Sequence, residues 1–171
     1  MIKYKSNILI YNKKFLVKYL MEFSLKQAFI MLGPAGAGKT SWIKENLNPD
    51  IRIISKDKIR EDLGIIKNDG KKAIGTKEQE NFIKRQQELQ LIETLNSKLS
   101  FVLDNTNLGK DIQELILKIR KFGYYIVGVK INTPLEICIL RRPEIPVRVL
   151  ENMYKKLQTI SPDMFDEFIE I

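Results

Sequence analysis

From Gln27 onward, short apolar runs alternate with longer stretches in which apolar residues recur at helical spacings. The runs QAFIML (27–32), IRIIS (51–55), SFVLD (100–104) and YYIVGVKI (124–131) end in polar or turn residues, the pattern of short buried strands. Thr76 to Leu99 places Phe82, Leu89, Ile92, Leu95 and Leu99 three to seven residues apart with charge between them, predicting one long helix with those side chains on the core. Leu108 to Phe122 repeats the pattern with Ile112, Leu115, Ile116 and Ile119, and Gly123 takes the C-terminal capping place. Pro134 and Pro146 each fit the first turn of a further helix, the second running through Leu157. Strands that alternate with helices imply an α/β fold: a mostly parallel central sheet flanked by helices in three layers.

The first 26 residues break this rhythm. NILIY and FLVKYL flank NKK, which reads either as a hairpin or as a loosely held extension. Basic residues and apolar runs there are reminiscent of a targeting segment, but Asn12, Lys13 and Lys14 interrupt them and no small-residue cleavage site follows. No run approaches the roughly 18 apolar residues of a membrane span, so a cytoplasmic protein without a membrane partner is expected. Residues 27–171 suffice for one well-packed core and are too few for two ordinary domains. KNDGKK (67–72) centres on an Asp-Gly pair and reads as an exposed, solvated turn.

Charge adds a hint about partners. The chain has 29 Lys and Arg against 21 Asp and Glu, and residues 159–171 hold four acids and no base. The first 158 residues therefore carry 29 bases against 17 acids, or +12. Such an excess suits an anionic partner, a nucleotide or a nucleic acid, because Lys and Arg release counterions from phosphates on contact. The chain contains no histidine and one cysteine, Cys138 in the apolar run ICIL, which reads as a small core residue. Internal disulfides, His/Cys zinc sites and His-based triads are excluded, leaving Asp, Glu, Lys, Arg and hydroxyls for any chemistry.

Residues 33–40, GPAGAGKT, match G-x-x-x-x-G-K-[ST] and stand between a predicted strand and a predicted helix. Gly33, Pro34, Ala35, Gly36, Ala37 and Gly38 would wrap backbone N–H groups around phosphates at the helix N-terminus, with Ser41 in the following turn. Lys39 would reach the β and γ phosphates of ATP, and Thr40 would offer its hydroxyl to Mg²⁺. A guanine-specific N-K-x-D is absent, and SFVLD is followed by Asn105 where a hydrolytic ATPase would carry glutamate. The weight moves from hydrolysis to transfer. A kinase needs an acid near the acceptor hydroxyl, and SKDKIREDLG puts Asp57 at the C-terminal edge of the sheet with Arg60 one helical turn on. Taken alone, that pair reads equally as a helix cap with a surface arginine behind it.

GPAGAGKTSW, KDKIR, LDNTNL, LRR and IPVRVLENMYKKL occur in an order and spacing that resemble the kinase domain of phage and animal 5′-polynucleotide kinases, with their broader AAA_33 and zeta-toxin-like relatives. The likeness covers residues 27–171 and implies a P-loop kinase fold acting on the 5′-hydroxyl ends of DNA or RNA. It implies that Asp57 is the general base and that Arg60 contacts the acceptor's phosphate. Asp104 would stand beside the P-loop near Mg²⁺ or the acceptor, Thr106 and Asn107 would shape the pocket, and Arg141 and Arg142 would belong to a lid over ATP. The segment between Arg142 and Pro146 is shorter than the lid of the phage enzyme. The phage acid aligns with Asn105, whereas the animal enzymes carry DNTN as here. Two rivals remain: a small-molecule kinase on the same scaffold, for example a nucleotide-sugar kinase of the zeta-toxin kind, and a nucleotide-dependent switch ATPase.

Overall fold

The computed structural model describes residues 26–65 and 75–171; the expected N-terminal hairpin and the KNDGKK turn lie outside the described residues. In chain order the elements are β1 (Gln27–Leu32), α1 (Lys39–Asn46), β2 (Arg52–Ile54), α2 (Lys56–Asp62), α3 (Lys77–Asn96), β3 (Phe101–Leu103), α4 (Ile112–Lys121), β4 (Tyr125–Lys130), α5 (Leu135–Arg141), α6 (Val147–Gln158) and β5 (Glu167–Glu170). The strands form one sheet in the order β2-β3-β1-β4-β5, and every neighbouring pair is parallel. The expectation of a mostly parallel sheet is thus met by one that is parallel throughout. Parallel strands point their C-terminal ends to one edge, so the loops after β1, β2, β3 and β4 gather there.

β1 is central and buried along its whole length, which explains its unbroken apolar run. Its alternate residues feed two cores. Ala28, Ile30 and Leu32 face a cluster holding Leu91 and Leu95 of α3, Ile112, Ile116 and Ile119 of α4, and Leu157 of α6. Phe29 and Met31 face a second cluster with Ile43 of α1 and Cys138 of α5. Cys138 is a fully buried core residue, as its apolar neighbours suggested. Gly123 has φ 77, the left-handed conformation of a helix-ending glycine, so its place after α4 is confirmed.

Two expectations need correction, and one strand is additional. IRIIS was expected to be buried, but among the described residues β2 is an edge strand paired only with β3, and Arg52 and Ile53 are exposed. In α3, Phe82 and Leu89 point to solvent instead of the core, Leu99 lies beyond the end of the helix and is exposed, and Ile83, Leu91 and Leu95 are buried beside Thr94. A threonine fits that face because its hydroxyl donates to the Gln90 carbonyl at 2.6 Å, satisfying the polar atom within the helix. The additional strand is β5, which lies within the acidic segment 159–171. It pairs with β4, and Phe165 just before it packs over Gly128, where a Cβ would come within 2.7–2.9 Å of the ring.

Candidate active site

The loop from β1 to α1 is held from several sides. Gly33 N–H donates to the Thr106 carbonyl (3.4 Å), Ala37 N–H to the Pro34 carbonyl (3.3 Å), and Thr133 Oγ1, after β4, to the Ala37 carbonyl (2.7 Å). Gly36 (φ 83) and Gly38 (φ 97) take left-handed conformations that other residues rarely adopt. Gly36 also has no room for a side chain, since a Cβ would lie 3.0 Å from the Cys138 carbonyl and from Cγ of Arg142. The loop runs into α1, whose first amides have no partner four residues back. Thr40 and Ser41, in that first turn, are exposed.

Lys39 is buried, and its Nζ donates to the carbonyls of Gly33 (2.9 Å) and Pro34 (2.7 Å). Burial lowers its pKa to about 8, against the upward pull of the Asp104 and Asp57 carboxylates and, more weakly, of Cys138. Both acids that the sequence singled out therefore act on this ammonium. Asp104 leaves the end of β3, and its Oδ2 accepts from Thr40 Oγ1 at 2.8 Å.

After β2, Ser55 caps α2 by accepting from Lys58 N–H, which places Asp57 in the first turn. Arg60 follows one turn later and donates from Nη1 to Asp57 Oδ1 at 2.8 Å. Its other donors go to Glu80 of α3, Nε to Oε1 (3.0 Å) and Nη2 to Oε2 (2.6 Å). Glu80 holds the Arg60 pKa up, and Arg60 in turn holds the Glu80 carboxyl below the usual carboxylate range. Across the loop, Arg141 Nη1 donates to the Gly36 carbonyl at 3.1 Å, and Arg142 Nε pairs with Glu144. Both arginines that the resemblance assigns to a lid thus lie against the glycine-rich loop.

Two predicted pocket residues brace the backbone. The side-chain amide of Asn107, a non-glycine residue at φ 49, donates to the carbonyls of Met31 (2.8 Å) and Leu103 (3.1 Å), tying the ends of β1 and β3. Thr106 contributes its carbonyl to Gly33. Sequence reasoning missed Glu80, Thr133 and Asn105. Asn105 Oδ1 accepts from Lys56 N–H at 3.1 Å, locking the end of β3 to the start of α2, while its Nδ2 is buried without a partner among the described residues. In the sequence Asn105 stands out only as the residue in place of an acid, which gives no hint of its bracing role; no local signal marks Glu80, which lies on another helix.

The residues present fit a Mg²⁺–nucleotide. Thr40 and Asp104 are a hydroxyl and a carboxylate in contact, hard oxygen donors of the kind Mg²⁺ accepts alongside phosphate and water. No cluster of three or more His, Cys, Asp or Glu that would make an all-protein cage occurs among the described residues.

A parallel sheet whose central strand feeds a glycine-rich loop, a buried lysine and a hydroxyl–carboxylate pair defines a nucleotide-binding P-loop protein. Residues 29–144, more than half of the chain, match AAA_33, described as an AAA domain, and the chain belongs to that family. No curated protein matches the sequence. Among solved structures, the chain is similar to one in the Pnkp1/Rnl/Hen1 RNA repair complex, at 17% identity and TM-score 0.63, covering 78% of this chain and 44% of that one. This chain thus spans less than half of that relative. A structure from the PezAT chromosomal toxin-antitoxin system of Streptococcus pneumoniae matches at 14% identity and TM-score 0.57, covering 99% of this chain and 79% of that one. A sugar kinase from Janibacter sp. matches at 16% identity and TM-score 0.51, covering 86% and 84%. At these identities the likeness establishes the P-loop kinase fold.

Proposed function

We propose that this protein transfers the γ-phosphate of ATP to the 5′-hydroxyl of DNA or RNA. The observation that supports the reading is that two acids stand at the C-terminal edge of the sheet beside the phosphate loop, Asp104 bonded to Thr40 after β3 and Asp57 bonded to Arg60 after β2. Asp57 would accept the hydroxyl proton as the new bond forms, with Arg60 orienting its carboxylate. Lys39 would exchange its loop carbonyls for phosphate oxygens, and Arg141 and Arg142 would add positive charge at the loop's mouth. Mg²⁺, held through Thr40 and Asp104, would supply charge neutralisation between the phosphates. A nucleic acid as acceptor agrees with the +12 carried by the first 158 residues and with the order of GPAGAGKTSW, KDKIR, LDNTNL and LRR.

A second reading, a small acceptor such as a nucleotide sugar, draws on one contact: Arg60 is already shared by two carboxylates, leaving less charge for an acceptor phosphate. Labelled ATP incubated with 5′-hydroxyl oligonucleotides, nucleosides and sugar nucleotides separates the two. Label on oligonucleotide ends is the expected result; label on a sugar nucleotide alone would replace the reading with the second. No labelled acceptor, with ATP changing the affinity for a protein partner, would favour a switch ATPase.

A further inference from the structure

The reading of Asp57 as general base leaves open what aims it, and the structure assigns that work to Glu80: we propose that Glu80 is a positioning residue that sets the Arg60 guanidinium and, through it, the Asp57 carboxylate. The inference rests on the proposed role of Asp57. Arg60 offers its donors in one rigid plane, so fixing two of them fixes the third. Glu80 takes Nε and Nη2 through its two oxygens, and the remaining terminal nitrogen, Nη1, then meets Asp57 Oδ1. Glu80 is itself anchored. It lies in the first turn of α3, behind a capping box between Thr76 and Gln79, and its Oε1 also accepts from Gly75 N–H at 3.3 Å. A Cβ on Gly75 would come 2.9 Å from Cβ of Gln79, so glycine there lets the chain pass close enough to make that bond. Hydrogen bonds therefore run from the start of α3 to the candidate base on α2, two helices that meet over the acceptor side.

A partly buried ion pair could serve stability alone, with Arg60 at 18% and Glu80 at 31% side-chain exposure, so the test needs a readout that stability does not move. Glu80→Gln removes the charge and one acceptor; Glu80→Asp keeps the charge and loses the reach, and is the variant to use if the first does not fold. In single-turnover transfer from ATP to a 5′-hydroxyl oligonucleotide, either change should lower the rate about 10- to 100-fold, the scale of a misplaced catalytic group, with ATP affinity within about twofold. In an Arg60→Ala background the same change should add no further loss, because Glu80 acts through Arg60. Independently of any acceptor, NMR should show the Arg60 Nε–H and Asp57 carboxyl carbon signals moving together in Glu80→Gln. Additive losses, or an unchanged Asp57 signal, would overturn the inference. If the native protein labels no oligonucleotide while the two signals still move together, the nucleic-acid acceptor falls and the Glu80–Arg60–Asp57 alignment stands.

Discussion

Lys39 concentrates the chemistry of the site in one side chain. Its pKa falls from 10.5 to about 8 because burial penalises the charged form, so near neutral pH it is a cation held only by carbonyls and two nearby acids. Since the folded value lies below the ordinary one, the burial cost to stability is in force below pH 8 and is relieved as pH rises toward 10.5. Phosphates reverse that balance by favouring the ammonium. ATP binding should therefore take up a proton above pH 8 and almost none at pH 7, with affinity falling up to about tenfold per pH unit in the alkaline range. Calorimetry in two buffers of different ionisation enthalpy reads this directly, and equal heats at pH 8.5 would refute it. Lys39→Ala should fold and lose phosphotransfer by about 10²-fold or more, measured with labelled ATP. The motif made Lys39, Thr40 and the glycines legible, because a phosphate loop is defined by contiguous residues. Glu80 and Thr133 were not, since their partners lie 20 and 96 residues away in the chain and only the fold brings them together.

At the scale of elements, strand and helix order followed from apolar runs and their spacing, and the errors fall where burial is one-sided. β2 and β5 sit at the two edges of the sheet. β5, carried by EFIE, is only partly buried, and its flanking acids hid a strand that β4 holds by parallel pairing. The face of α3 was misread because Phe82 and Leu89 look like core residues while Thr94, satisfied by its own helix, is the buried one. The attachment of β5 gives a prediction. Gly128→Ala should push against the Phe165 ring and destabilise the fold by about 1–3 kcal/mol, the usual cost of overpacking, as read by chemical denaturation. A smaller side chain at position 165 should recover part of the loss in Gly128→Ala; no recovery would show that the ring is not the obstacle.

For the whole molecule, the account joins an ATP-binding loop and an acceptor edge across one parallel sheet, on a chain with a net charge of +8. If that charge serves a nucleic-acid acceptor, oligonucleotide affinity should fall steeply as salt rises, each neutralised phosphate adding about 0.7 to the slope for single strands. A flat dependence measured by fluorescence anisotropy would favour the small acceptor. The central claim, transfer to a hydroxyl activated by Asp57, is met most directly by single-turnover phosphotransfer to a 5′-hydroxyl oligonucleotide, comparing Asp57→Asn with the native protein at matched ATP occupancy. Asn preserves the size of the side chain and removes the charge that accepts the proton. The account predicts a fall of about 10²–10⁴-fold with ATP affinity within a few-fold of native. Undiminished transfer by Asp57→Asn would contradict it.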